Sequence, residues 1–133
     1  MKPVTFTVLG DPVPQPRARV STVGGFAHAY VPGRHPVHAY RLSVAQAAIA
    51  SGLSKTDATL EVIIDAVFKR PKSHSTKRGL KPTAPQLPRP DCDNIAKAVL
   101  DAMGDLFDDS QVRRLVVEKS YGEEARTTVR VQS

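Results

Sequence analysis

Two aspartates two residues apart, Asp91 and Asp93, stand at the start of a predicted helix, with Lys97 one turn inside it. Asp101 follows a turn later, and Asp105, Asp108 and Asp109 come just past the helix end. Six of the chain's 13 acidic residues thus fall between Asp91 and Asp109, in a protein of formal net charge +6. Carboxylates brought within about 4 Å repel and raise one another's pKa unless a cation lies among them. Oxygen-rich sites of this kind suit hard divalent ions, Mg²⁺ first and Mn²⁺ as a substitute. Such an ion polarises a phosphate and lowers the pKa of a bound water. In a basic protein this chemistry points to nucleic acid, with cations holding phosphates and the metal activating one of them.

Spacing assigns faces to these residues. Asp93, Lys97 and Asp101 are four apart and share one side of a helix expected from about Asp93 to Met103. Ile95, Val99, Ala102 and Met103 turn to the opposite, core side, which frees the polar stripe to face a cleft. Lys97 can oppose the charge of a phosphoryl transition state or hold the attacking water. It can equally form an ion pair with Asp93 or Asp101, worth roughly 0.3–0.5 kcal/mol. Asp91 can cap the helix, but capping does not account for Asp93 beside it or for Asp108 and Asp109 beyond it. An EF-hand is excluded: Ala96 stands where that loop needs glycine, and Ala102 where it needs a bidentate glutamate. Cys92 alternates with the aspartates and is expected to point inward as a small apolar spacer.

Length and composition bound the setting. A chain of 133 residues with 41% hydrophobic content is expected to fold as one domain, residues 1–133. No segment approaches the roughly 18 apolar residues of a membrane span, and the start reads as a strand rather than a signal peptide. A single cysteine precludes an internal disulfide and a zinc-thiolate site. A cytoplasmic location is therefore expected. Between Lys69 and Pro90 lie seven cations, Lys69, Arg70, Lys72, Lys77, Arg78, Lys81 and Arg89, and no acid. Next to an acidic cluster, this segment reads as a DNA-contacting arm, or else as a solvated loop.

The elements that must position these groups follow from periodicity. Lys2–Leu9 alternates as a half-buried strand. Gly10–His35, rich in proline and glycine, reads as a long loop with a short hairpin about Gly24-Gly25. Pro36–Ser51 is helical, with Val37, Tyr40, Val44, Ala47 and Ala48 on one face and Gly52 as its stop. Leu60–Phe68 is a buried strand, and Arg114–Tyr121 and Arg126–Gln132 are two strands joined by a turn near Gly122-Glu123. The order implies an α+β fold, a small mixed β-sheet with two main helices packed against it. His28, His35, His38 and His74 show no ligand spacing, and Tyr30 and Tyr40 suit a core or an interface equally.

The motif Asp91-x-Asp93-Asn94-x-x-Lys97, then Asp101, then Asp108-Asp109-Ser110-Gln111-Val112, resembles the RusA family of Holliday junction resolvases, found in bacteria and their prophages. Pro14-Gln15-Pro16-Arg17-Ala18-Arg19 and Tyr30-x-Pro32 are also similar to that family, which has Arg-Pro-Arg where this chain has Arg-Ala-Arg. The resemblance implies that Asp91, Asp93 and Asp109 are catalytic metal ligands and that Lys97 is the essential lysine. It also implies Mg²⁺ dependence, a homodimer, and cleavage of four-way DNA junctions in recombination and repair. From the residues alone, either Asp108 or Asp109 could reach a metal.

Arg17 and Arg19, with Lys69, Arg70, Lys72, Lys77, Arg78 and Lys81, are the expected DNA contacts. Phosphate contacts of this kind give affinity rather than sequence readout. Two other readings fit the sequence. One is a basic DNA-binding protein without catalysis, and the other a nuclease acting on flaps, forks or single strands.

Overall fold

The computed structural model describes residues 1–133. Along the chain run Val4–Leu9 (β1), Arg19–Ser21 (β2), His28–Tyr30 (β3), Val37–Ala50 (α1), Leu60–Lys69 (β4), Ser75–Thr76 (β5), Gly79–Leu80 (β6), Cys92–Ala102 (α2), Val112–Gly122 (β7) and Arg126–Gln132 (β8). Four strands form the main sheet in the order β1-β8-β4-β7, and β2-β3 and β5-β6 are separate small hairpins. Only β4 and β7 pair in parallel; β1-β8 and β4-β8 are antiparallel. This is the α+β architecture expected, a mixed sheet with two helices. No helix is long and apolar enough to cross a membrane.

The dense β-branched run Leu60–Phe68 becomes a central strand because its alternate residues can fill a core. Val62, Ile64 and Ala66 are fully buried, while Ile63 and Asp65 on the other face are only half-buried. In register, Val62 lies beside Val131 and Ile64 beside Val129. Both helices cover this same face: Val37, Tyr40, Val44 and Ala48 of α1 and Ile95 and Val99 of α2 join them in one cluster of 20 buried residues. Each large aliphatic side chain taken from water contributes about 1.5–3 kcal/mol. Tyr40 belongs to this core, where its hydroxyl meets Thr127 Oγ1 at 2.6 Å. Burial pushes the Tyr40 phenol up, and the Thr127 hydrogen bond partly opposes that.

The last two strands are present as expected, but they are not neighbours. β4 lies between them, so the turn after Gly122 crosses the carboxyl end of β4. The mostly buried, β-branched β4 needs partners on both sides, whereas β7 exposes Arg113, Arg114 and Leu115 and suits an edge. The crossing is tight: a Cβ on Gly122 would stand 2.6 Å from Val67 Cγ1.

The long first loop carries the expected hairpin. β2 and β3 pair Arg19 with Tyr30, and Gly24 and Gly25 take positive φ in the turn. The basic segment is more ordered than its composition suggested. A 3₁₀ turn at Lys72–His74 leads into the β5-β6 hairpin, which presents Lys77 and Arg78 at its tip.

Candidate active site

Helix α2 begins at Cys92, after Asp91, and turns Ile95, Val99 and Met103 into the core as the spacing required. Asp93 and Lys97 are exposed and Asp101 is half-buried along the outer stripe. Asp91 occupies the N-cap position with extended backbone, yet its side chain makes no capping hydrogen bond. Asp93 Oδ1 accepts only the neighbouring Asn94 N–H, at 3.0 Å. Neither carboxylate is ion-paired, so two unneutralised anions stand together at the start of α2. Cys92 between them is half-buried rather than enclosed.

Lys97 leans the other way. Its Nζ is 3.7 Å from Asp101 Oδ2, and Arg41 of α1 approaches the same oxygen at 3.8 Å. Asp101 is thereby neutralised, while Asp91 and Asp93 are not.

The residues after α2 form a second acidic group. A 3₁₀ turn at Asp109–Gln111 is closed by a reciprocal capping box. Asp108 Oδ1 accepts Ser110 N–H at 2.8 Å, and Gln111 Oε1 accepts Asp108 N–H at 2.7 Å. Hydrogen bonds from Ser110 hold the Asp108 carboxyl below its ordinary value. The Gln111 amide also donates to the carbonyls of Thr56 and Ala58, at 2.9 and 3.0 Å. Asp108 is therefore committed to structure, and Asp109 is the exposed carboxylate left free on a braced turn. Leu100, Asp101, Gly104, Phe107, Asp108 and Asp109 line a hollow of about 300 Å³ beside the last turn of α2.

Within one chain Asp91, Asp93 and Asp109 are not gathered into a single metal-holding group. Asp109 shares its hollow with Asp101, and the helix rises about 12 Å between Asp93 and Asp101. No three His, Cys, Asp or Glu side chains come together in a geometry that could hold a metal ion. The regular helix is the cause, since it places the two acidic groups at its two ends. The Asp91–Asp93 pair by itself does fit an ion such as Mg²⁺, which is commonly held by one or two carboxylates together with substrate phosphates and water. Gln15 supports that fit. Its backbone N–H donates to Asn94 O at 2.9 Å, and its side-chain Oε1 is buried without a hydrogen-bond partner.

The same Gln15–Asn94 bond ties the first loop to α2 and places exposed Arg17 two residues from the acidic motif. Arg19 opens β2 and is also exposed. Lys69, Lys72, Lys77, Arg78 and Lys81 are exposed along the basic segment. Arg70 is not a free cation. Its guanidinium lies 4.2 Å from the Tyr121 ring centroid and its Nη1 donates to Pro85 O at 2.7 Å.

Sequence reasoning missed Lys119, whose Nζ donates to Pro90 O at 2.9 Å and so fixes the residue before Asp91. Alternation along β7 puts Lys119 on the same face as Val117 and Tyr121, a signal available before the structure. The Asp108-x-x-Gln111 spacing likewise matched a capping box. The buried carboxylate of Glu61, held by Arg114 at 2.6 Å and Arg113 at 3.3 Å, lies at the start of β4 and anchors the β7 edge.

Among known proteins, the family described as Endodeoxyribonuclease RusA matches residues 10–132. The chain is similar to the Uncharacterized protein YqaN of Bacillus subtilis (strain 168), 35% identical over 143 residues, which cover 97% of this chain and 95% of that protein. An unpaired Asp91–Asp93 motif at a helix start, two cation-bearing loops before it in sequence, and this nearly full-length match together show that the chain belongs to the RusA family of endodeoxyribonucleases.

Proposed function

We propose that the protein is a metal-dependent, structure-selective endodeoxyribonuclease that resolves four-way DNA junctions as a homodimer. The observation that carries this reading is the pair of exposed carboxylates, Asp91 and Asp93, neither of them in an ion pair with a cation of the chain. Two such anions at one place favour a divalent cation, and a basic surface favours the phosphates to be cut. Asp91 and Asp93 hold the ion, Mg²⁺ or Mn²⁺. When bound, it supplies charge stabilisation at the phosphate and a more acidic water.

The chain's own residues do the rest. Arg17 and Arg19 seat the backbone of one arm, and Lys69, Lys72, Lys77, Arg78 and Lys81 seat another. Lys97 faces the phosphate from the outer stripe of α2, with its charge shared with Asp101 in the free protein. Water adds to phosphorus, the P–O3′ bond breaks, and the products carry a 5′-phosphate and a 3′-hydroxyl. A junction has approximate two-fold symmetry, so two sites related by a dimer axis nick opposite strands. Asp109, which forms no metal-holding group with Asp91 and Asp93 in its own chain, completes the acidic set from the second copy.

The test is incubation with a synthetic four-way junction, a flap and a plain duplex, each in Mg²⁺ or EDTA, with Asp93→Asn alongside. Junction-selective cutting in Mg²⁺ that the variant loses is the expected result. Equal cutting of all three substrates removes the junction claim, and binding without cutting in any divalent metal leaves a DNA-binding module.

A further inference from the structure

We propose that a second site, at the carboxyl ends of β4 and β7, takes one unstacked nucleotide of the DNA, with its base in an aromatic hollow and its phosphate on a cationic rim. The hollow has a volume of about 620 Å³, within the range of small-ligand pockets. It lies where ligands of parallel strands usually bind, outside the strands' carboxyl ends.

Phe68 and Tyr121 are register partners on β4 and β7, and both line it. Tyr121 is braced before any ligand arrives. Arg70 lies over its ring, and His74 meets it edge-on with centroids 5.7 Å apart. Arg70 is itself fixed by Pro85 O. A ring so held is a preformed stacking platform, and stacking on aromatic side chains is how proteins retain single unpaired bases.

The rest of the lining discriminates for a nucleotide. Lys69 and Arg89 supply charge for a phosphate, while Pro85, Pro88 and Pro90 form an apolar wall. Asp11 is the one acid present. Its Oδ1 accepts Lys69 N–H at 3.3 Å, which leaves the other oxygen to accept from an exocyclic amino group. Pro90 belongs both to this wall and to the residue pair that opens the acidic motif, so a nucleotide held here is next to Asp91.

The proposal rests on the nuclease reading only for the DNA that supplies the nucleotide. Its test therefore omits cutting. Deoxynucleoside 5′-monophosphates and deoxyribose 5-phosphate are titrated in EDTA into the whole protein, with backbone amides followed by NMR. Saturable shifts are expected at Phe68, Lys69, His74 and Tyr121, with the base-free sugar phosphate at least about tenfold weaker. Tyr121→Leu should lose about the same factor. His74→Ala, a milder change that removes the edge contact and the 3.4 Å contact of its ring with Arg70 Nη1, should weaken binding in the same direction if Tyr121→Leu fails to fold.

Equal binding of the sugar phosphate, shifts confined to other surfaces, or wild-type affinity in the folded variants would overturn the proposal. Nucleotide binding here in a protein that cuts no DNA would support the pocket while sinking the nuclease. Junction cutting with no response in the pocket would sink the pocket alone.

Discussion

The backbone amide of Gln15 donates to the carbonyl oxygen of Asn94 at 2.9 Å, so the first loop of the chain is fastened to the helix that carries the acidic motif. Arg17 is thereby held near Asp91 and Asp93 although more than seventy residues separate them in sequence. Arg17→Ala should weaken binding of junctions and duplexes to a similar degree. The slope of log affinity against log salt should fall by about one, as for one lost phosphate contact. Fluorescence anisotropy at several salt concentrations measures both. A loss confined to one DNA sequence would contradict a phosphate role.

Asp93→Asn should lower Mg²⁺-dependent cutting by at least about a hundredfold, an effect on the order of 3 kcal/mol in the barrier. Junction binding should stay level or tighten, because a charge that repels phosphate is gone. Gel-shift and cleavage assays on the same preparation separate the two effects. Parallel loss of binding and cutting would mean that Asp93 supports the fold instead.

The two acidic groups at opposite ends of α2 lead to a mixing experiment. Asp93→Asn and Asp109→Asn proteins, each inactive alone, should regain activity when their subunits are exchanged. Random pairing makes roughly half the dimers mixed, each with one intact site, so about a quarter of wild-type nicking should return. No recovery after demonstrated exchange would place the working Asp109 in the same chain as Asp93.

At Asp108 the pKa is depressed by the hydrogen bonds from Ser110. The sign follows from that direction. The cap's contribution is complete above the unfolded carboxyl's value and is lost as pH falls through the lower folded one. The Ser110 amide resonance should titrate with a midpoint below the ordinary carboxylate range. Asp108→Asn, which keeps an acceptor oxygen, should abolish that titration and leave Asp109 positioned.

Tyr40→Phe should cost about 1–3 kcal/mol, since it strands the Thr127 hydroxyl in the core. Adding Thr127→Val should restore part of that loss, because both partners are then apolar. Urea denaturation of the two variants against wild type gives the comparison.

Much of this molecule was legible in its residues for identifiable reasons. Val62, Ile64, Ile95 and Val99 follow the periods of strand and helix, and those periods are enforced by burial in one core. The Asp91–Lys97 spacing was equally readable, because helix geometry alone puts Asp93, Lys97 and Asp101 on one side. Distances along that side were a different matter. The same helix that aligns the carboxylates rises about 12 Å between Asp93 and Asp101. The place of β4 between β7 and β8 was also out of reach, since strand order depends on which edges find partners over long stretches of chain. Arg70 read as a surface cation because charge is visible in sequence, whereas its seat on Tyr121 depends on a loop path through Pro85.

The sheet order also constrains when the protein can assemble. β1 has β8 as its only partner in the sheet, with Val4 beside Val131, and β8 is in turn one of the two neighbours of β4. During synthesis the first strand must therefore remain unpaired until nearly all the rest has been made. Pairings of such long sequence separation form slowly and leave apolar edges exposed in the meantime. A chain released before Arg126 would lack the strand that joins β1 to the rest of the sheet. Such fragments should be substrates for chaperones and proteases rather than partly working nucleases.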